Sequence, residues 1–409
     1  MKTQFDKSRI VNIYSPNLPP FKLTLTFKTT INDIRNQIIQ SWSVIPKRVR
    51  IFNQNGNELI EQDLQFVLDG NKLYITLFGQ DLDASIIFQE YEIISEIGKG
   101  GQGTVLLAKQ KFIGFYVAIK ITRDIDEENS IIKRESKILK ELLHRNIVKV
   151  FQSLYFQKTQ ECIIIMEYLE GGSLLQLIRN KGIIPEQEVK IYIKQIVEAL
   201  LFCHSKTFVH RDLKLENIML VNQGNTWVKL IDFGLAGVAG TQKERETMNV
   251  GTLPYMPPEV LNGKLKFISP CVDVWGIGII MYSLLYGKLP FKGRKNEDKI
   301  NNILQCNFQH ELSVSEEAKD LINKILVPKN NQRISMQEIM AHKWIGGNDI
   351  LQFRRLLKQS SQPQIKNGKK KFDLEIRKIS VHEEKKVRIS LPLIRYRANS
   401  QDYLLDISK

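Results

Sequence analysis

Cysteine is scarce. The 409-residue chain holds four, at positions 162, 203, 271 and 306, and no two have a paired spacing. That excludes a disulfide framework and a cysteine-based zinc site, and makes reduced thiols the expectation. Long apolar runs are absent too. The most hydrophobic stretch, residues 272–286, is interrupted by Asp273 and is too short to span a bilayer, so it predicts a buried helix. The opening residues, Met1-Lys2-Thr3-Gln4-Phe5-Asp6, lack the apolar core of a secretion signal. No transmembrane segment is expected, and the expected location is the cytoplasm, with membrane contact confined to the periphery.

Acidic residues are in the minority, 44 against 59 lysines and arginines, for a net charge of +15. The imbalance is local. Residues 1–90 carry 10 basic and 9 acidic side chains, residues 91–350 carry 34 and 29, and residues 351–409 carry 15 and 6. An anionic partner is therefore expected for the tail rather than for the whole surface. No basic stretch of the folded part is interleaved with aromatics, and nucleic acid is not an expected partner. The 43% hydrophobic and 25% charged shares are ordinary for a globular protein, and the length suggests two or three domains.

Residues 9–79 read as a small domain. Leu23, Leu25 and Phe27 alternate with polar residues, as do Leu73, Ile75 and Leu77, the two-residue period of half-buried strands. Between them Ile31, Ile34, Ile38 and Trp42 recur at helical spacing, and Asn55-Gly56 signals a tight turn. This order of elements is similar to the ubiquitin-like β-grasp fold. The segment ends at Phe78-Gly79-Gln80 without a Gly-Gly terminus, which excludes a conjugated modifier. A docking domain over residues 1–80 is expected, with a folded spacer as the alternative, followed by a linker over 81–90.

The chemistry centres on His210-Arg211-Asp212-Leu213-Lys214-Leu215-Glu216-Asn217, a polar loop between two more apolar segments, 206–209 and 218–221. Asp212 can orient and deprotonate a hydroxyl, Lys214 can neutralise a transferring phosphoryl group, and Asn217 can hold a metal ion. Alone, these residues would better suit a salt-bridged surface loop. Their partners decide the matter. Upstream stand Gly98-Lys99-Gly100-Gly101-Gln102-Gly103-Thr104-Val105 and Val117-Ala118-Ile119-Lys120; downstream stand Asp232-Phe233-Gly234 and Pro257-Pro258-Glu259. With these motifs in order, residues 91–345 resemble the protein-kinase superfamily. The resemblance implies an α+β, bilobal fold with a β-rich N-lobe and a helical C-lobe.

It also implies roles. Ile97, Gly98, Lys99, Gly100, Gly101, Gln102, Gly103, Thr104 and Val105 would cover the phosphates and adenine of ATP. Ala118, Met166, Glu167, Leu169, Glu216 and Met219 would complete the nucleotide site. Lys120 would bind the α- and β-phosphates and pair with a helix carboxylate, for which Glu135 is the choice and Glu127, Glu128 and Glu141 are substitutes. Ile131, Ile138 and Leu142 would give that helix its inward stripe. Asn217 and Asp232 offer the hard oxygen donors that Mg²⁺ prefers. Lys214 and Thr252 form the Ser/Thr-kinase pattern, so protein serine and threonine hydroxyls are the implied substrates. A catalytically silent scaffold would ordinarily lack Lys120, Asp212 or Asp232, and all three are present.

Further expectations follow. Glu259 and Arg333 should form a buried ion pair, and Asp273 should cap the backbone of the catalytic loop. Phe233 should pack inward. Arg211 should receive a phosphate from Thr247 or, next, Thr241; counted back from Gly251 the family's position falls on Met248, so either the register is shifted or Thr252 is the functional hydroxyl. Ser173 stands where many basic-substrate kinases carry a glutamate, leaving Glu216 to recognise an arginine. Leu284-Leu285-Tyr286-Gly287-Lys288-Leu289-Pro290-Phe291 and His342-Lys343-Trp344 are most similar to the calcium/calmodulin-dependent and AMP-activated kinase group. The basic tail, 346–409, has three readings: an amphipathic calmodulin-target helix at 351–358, part of a kinase-associated lipid-binding domain, or a solvated tail.

Overall fold

In the computed structural model the described residues are 8–15, 18–79, 82, 86–100, 103–123, 135, 138–156, 159–241, 252–310 and 314–346. Gly101, Gln102, Glu127, Glu128, Ile131, Thr247, Met248, Gly251 and the whole tail from 347 lie outside them.

Residues 1–347 form one compact unit, whose N-terminal part is built on β1 (Arg9–Ser15), β2 (Leu18–Leu25), α1 (Ile31–Trp42), β3 (Arg50–Phe52), β4 (Glu58–Leu59) and β5 (Lys72–Thr76). The sheet order is β2-β1-β5-β3-β4, with β1 and β5 parallel at its centre. Thr30 starts α1 with a capping box: its Oγ1 accepts the Asp33 N–H at 3.1 Å while Asp33 Oδ2 accepts the Thr30 N–H at 2.8 Å. Ile34, Ile38 and Trp42 then face Val11, Ile13, Leu23, Leu25, Ile51, Leu73 and Ile75 in one apolar core.

Two expectations change here. Phe27 lies beyond the end of β2 and is exposed, because the chain turns at 27–28 before α1. Strand β5 is not half-buried: Tyr74 and Thr76 are as deeply buried as Leu73 and Ile75. The alternation is real but has apolar neighbours on both sides. Ile13, Ile51, Leu73 and Ile75 face α1, while Tyr14, Phe52 and Tyr74 join a second core with Leu82, Ile86, Ile87, Tyr91, Leu154, Phe156, Ile163 and Ile165. The expected linker, 81–90, is described at 82 and 86–90. It ends in a short helix, α2 (Ile87–Glu90), and buries Leu82, Ile86 and Ile87.

The next layer is a five-stranded antiparallel sheet of β6 (Tyr91–Gly100), β7 (Gly103–Gln110), β8 (Tyr116–Arg123), β9 (Val150–Phe156) and β10 (Glu161–Glu167), in the order β6-β7-β8-β10-β9. Helix α3, helical at 135 and 138–141, inserts Ile138, Leu139 and Leu142 into the core. The remainder is helical: α4 (Leu174–Lys181), α5 (Glu186–Ser205), α6 (Pro258–Leu261), α7 (Cys271–Tyr286), α8 (Asn296–Gln305), α9 (Glu316–Ile325) and α10 (Met336–Ala341). Four short strands lie beside α5 and α4: β11 (Phe208–Val209) pairs with β14 (Gly237–Val238), and β12 (Ile218–Leu220) with β13 (Val228–Leu230). Residues 273–286 of α7 are buried on every side, as an apolar helix at the centre of a large core must be. No helix among the described residues is long and apolar enough to cross a membrane.

Candidate active site

The strand register builds the first half of the site. In β6–β8, Gly98 sits opposite Val105, and Val105 opposite Lys120. Ala118, two residues before Lys120, pairs with Met166 at the end of β10. One sheet face thus presents the glycine-rich hairpin, Val105, Ala118, Lys120 and Met166 in order. Gly103 is obligatory at the hairpin: its φ is +112°, and a Cβ there would stand 2.3 Å from the Ile121 carbonyl oxygen. Gly100 pairs with Gly103 and Lys99 with Thr104. Ile97 is half exposed at the hairpin's base, while Leu169 is buried just beyond β10.

Lys120 Nζ donates to Glu135 Oε1 and Oε2 at 2.9 and 3.0 Å and to Asp232 Oδ1 at 3.3 Å. Glu135 is therefore the helix carboxylate; Glu141 is exposed on the same helix. Burial opposes charge on Lys120, but the Glu135 and Asp232 carboxylates outweigh it and hold the ammonium above its ordinary range. Burial pushes Glu135 upward against the pull of Lys120.

The second half is the catalytic loop. Asp212 Oδ2 accepts from Lys214 Nζ at 2.7 Å and from Asn217 Nδ2 at 3.0 Å. Asn217 Nδ2 also donates to the Asp212 carbonyl at 2.9 Å, which locks loop and side chain together. Lys214 Nζ reaches Thr252 Oγ1 at 3.2 Å, so the expected lysine–threonine pair is formed. Behind the loop, Asp273 is fully buried and takes the backbone N–H groups of His210 and Arg211, each at 2.9 Å, and His204 Nε2 at 2.8 Å. Burial would raise its pKa, yet the His204 hydrogen bond and the charge of His204 and His210 carry it below the usual carboxylate value.

Asp232 arrives from β13 at φ +61°, outside the ordinary range for a non-glycine residue. Phe233 is fully buried beneath it, its ring centroid 4.7 Å from that of His210. Glu259 and Arg333 meet as a two-pronged pair at 2.8 and 3.0 Å, and Arg333 also donates to the carbonyls of Cys271 and Val327.

Several side chains around the site also make structural contacts. The Glu167 carboxylate binds Lys229 Nζ at 2.5 Å and the Lys149 N–H at 2.7 Å, so that side chain braces the lobe junction. Ser173 caps α4, accepting the Gln176 N–H at 3.2 Å. Met219 is half-buried on β12 opposite Lys229. Glu216 lies in the turn Leu215–Asn217, and its Oε2 is buried without a hydrogen-bond partner among the described residues. Sequence reasoning missed Lys229, His204 and Asn146. Asn146 Nδ2 ties Gln195 Oε1 and the Val228 carbonyl together, each at 2.8 Å. None of the three falls in a motif or a periodic pattern.

The donor set suits Mg·ATP. No cluster of three or more acidic, histidine or cysteine ligands exists among the described residues. Asn217 and Asp232 together offer an amide and a carboxylate, the sparse protein share of a Mg²⁺ shell completed by phosphates and water.

A β-rich lobe carrying a lysine–glutamate pair, set against a helical lobe carrying the Asp-Lys-Asn loop, defines a bilobal kinase fold. The protein kinase domain family matches residues 91–345, and the chain belongs to that family. It is similar to Aurora kinase A-A of Xenopus laevis, 34% identical over 267 residues that cover 64% of each chain. A probable serine/threonine-protein kinase KIN1 homolog of Enterocytozoon bieneusi is 35% identical over 257 residues, 62% of this chain and 42% of its own. Aurora kinase of Dictyostelium discoideum is 34% identical over 263 residues, 63% of this chain and 66% of its own. The match spans less than two thirds of the length of each of these relatives.

Proposed function

We propose that the protein is an ATP- and Mg²⁺-dependent serine/threonine protein kinase. The observation that carries this reading is Lys214 Nζ, placed between Asp212 Oδ2 at 2.7 Å and Thr252 Oγ1 at 3.2 Å. Mg·ATP, when bound, supplies the γ-phosphoryl group. Asp212 orients the substrate hydroxyl and accepts its proton, and Lys214 offsets the charge that develops during transfer. Lys120, held by Glu135, would contact the phosphates of the nucleotide, while Asn217 and Asp232 would hold the metal. Catalysis on this plan is positioning and electrostatics.

Glu216, half-buried in the turn Leu215–Asn217, is the carboxylate proposed to recognise a substrate arginine near the target residue. The motif at 284–291 supports placement in the calcium/calmodulin-dependent and AMP-activated group, and the sheet order of the N-terminal domain supports a ubiquitin-like β-grasp fold. Phosphate on Thr247 or Thr241, received by Arg211, is the proposed switch. The 15 basic residues of 351–409 support contact with an anionic lipid surface from a cytoplasmic location, with calmodulin as the competing partner.

The test is transfer of labelled phosphate from Mg·ATP to a randomised peptide library, with the Asp212→Asn protein as blank. Label on serine and threonine is expected. Label on tyrosine, or none above the blank, would overturn the reading.

A further inference from the structure

The second core described above joins two domains, and polar contacts fix its rim. Lys72 forms an ion pair with Glu90, and Tyr74 Oη donates to Glu90 Oε1 at 3.3 Å. Gln152 on β9 donates to Tyr74 Oη at 2.5 Å and to the Gln54 carbonyl at 3.1 Å. The N-terminal domain's turn at 53–57 then reaches further. The Asn55 carbonyl accepts the Tyr155 N–H at 3.3 Å, pinning the edge strand β9, and Asn55 Oδ1 accepts from Lys140 Nζ at 3.0 Å.

Lys140 stands five positions after Glu135 in the chain, and both are helical. One turn thus grips both the sheet edge and the helix that supplies the partner of Lys120. Contact at this point is close: a Cβ on Gly56 would lie 2.8 Å from the Tyr155 carbonyl oxygen.

We propose that the N-terminal domain sets the position of α3 and so of Glu135, with Asn55 and Lys140 as positioning residues for nucleotide use. Lys120 can hold the phosphates only where Glu135 steadies it, and Glu135 moves with α3. This role rests on the kinase reading given above, but its physical content is independent of transfer: the turn restrains a helix.

Glycine chemistry supplies the test and its control in the full-length chain. Gly56 and Gly70 are both at positive φ, +85° and +79°, so valine strains either turn alike. Only at Gly56 does the added side chain press on β9; at Gly70 nothing lies within 4 Å of the built Cβ. Gly56→Val is expected to raise KM for ATP about five- to tenfold and to speed hydrogen exchange at 138–142, with Gly70→Val near wild type. Asn55→Ala should give a smaller change in the same direction. Asn55→Asp, which keeps an acceptor for Lys140, should restore it.

Equal KM and exchange in Gly56→Val and wild type, an equal loss in Gly70→Val, or a gain of activity in Gly56→Val would each overturn the inference. If the wild-type chain transfers no phosphate, the kinase reading fails by itself. ATP affinity by calorimetry and exchange at 138–142 then still decide whether the turn holds the helix.

Discussion

Asp273 holds Arg211 in the left-handed region of the backbone: its Oδ1 accepts the Arg211 N–H at 2.9 Å while Arg211 sits at φ +69°. A non-glycine residue at positive φ costs about 1–3 kcal/mol. The buried carboxylate offsets that strain and fixes the residue beside Asp212. Asp273→Ala leaves the buried His210 N–H unmatched, at about 1–3 kcal/mol, and the half-buried Arg211 N–H without this acceptor. Thermal unfolding should show a clear fall in melting temperature, and kcat should fall more than ATP affinity. The charge matters as well as the shape. Because its folded pKa lies below the ordinary value, Asp273 stabilises fully above about pH 4 and loses that contribution as pH falls through the lower folded value.

His144 sets a separate, milder acid response. Burial, with help from Arg145 and Lys229, lowers its pKa to about 4, and its Nδ1 accepts the Asn146 N–H at 3.1 Å. The folded state holds the ring neutral, so stability is whole above about pH 6.5 and declines as pH drops toward 4. Urea unfolding between pH 7 and 5 should show the slope, and His144→Gln should flatten it.

Asp212 and Lys120 should separate cleanly in kinetics. Asp212→Asn is expected to leave ATP binding nearly intact while kcat falls by about two to four orders of magnitude, the usual share of a general base. Lys120→Met strands Glu135 in the interior and should weaken both nucleotide affinity and the fold. Calorimetric ATP titration beside single-turnover transfer distinguishes the two patterns. Near-normal turnover in Asp212→Asn would remove that residue from the chemistry.

The Glu259–Arg333 pair should behave as a unit. Either side chain replaced by alanine leaves a buried charge without its partner, for a loss of about 3–5 kcal/mol. Glu259→Leu combined with Arg333→Met should cost much less than the two single losses added together. A double-mutant cycle in urea reads this directly, and strict additivity would deny the coupling.

Much of the site is legible in the chain because each chemical duty requires a residue type at a restricted spacing. Lys120, Asp212, Lys214, Asn217 and Asp232 stand out for that reason, and Glu135 could be chosen from its place on an amphipathic stretch. Burial on both faces of β5 is not legible. Tyr74 and Thr76 look like the outward half of an alternation until a second apolar surface covers them. Glu90 and Gln152 join residues 16 and 78 positions away with no periodic signal. Glu167 shows another limit: its place in the chain raises the expectation of an adenine contact but gives no sign that its carboxylate bonds Lys229 and the Lys149 N–H.

The shared core also bears on how the protein can be divided. A recombinant fragment beginning at Tyr91 would match the boundary of the catalytic family yet cut through packed side chains. It would leave Tyr91, Leu154, Phe156, Ile163 and Ile165 without Tyr14, Phe52 and Tyr74 as their cover. It would also bare the outer edge of β9, where Tyr155 now donates to Asn55, and an uncovered strand edge invites foreign strands. Such a fragment should be sticky and poorly soluble, and fragments that retain residues 9–90 should not. For this chain the smallest workable unit begins near Arg9.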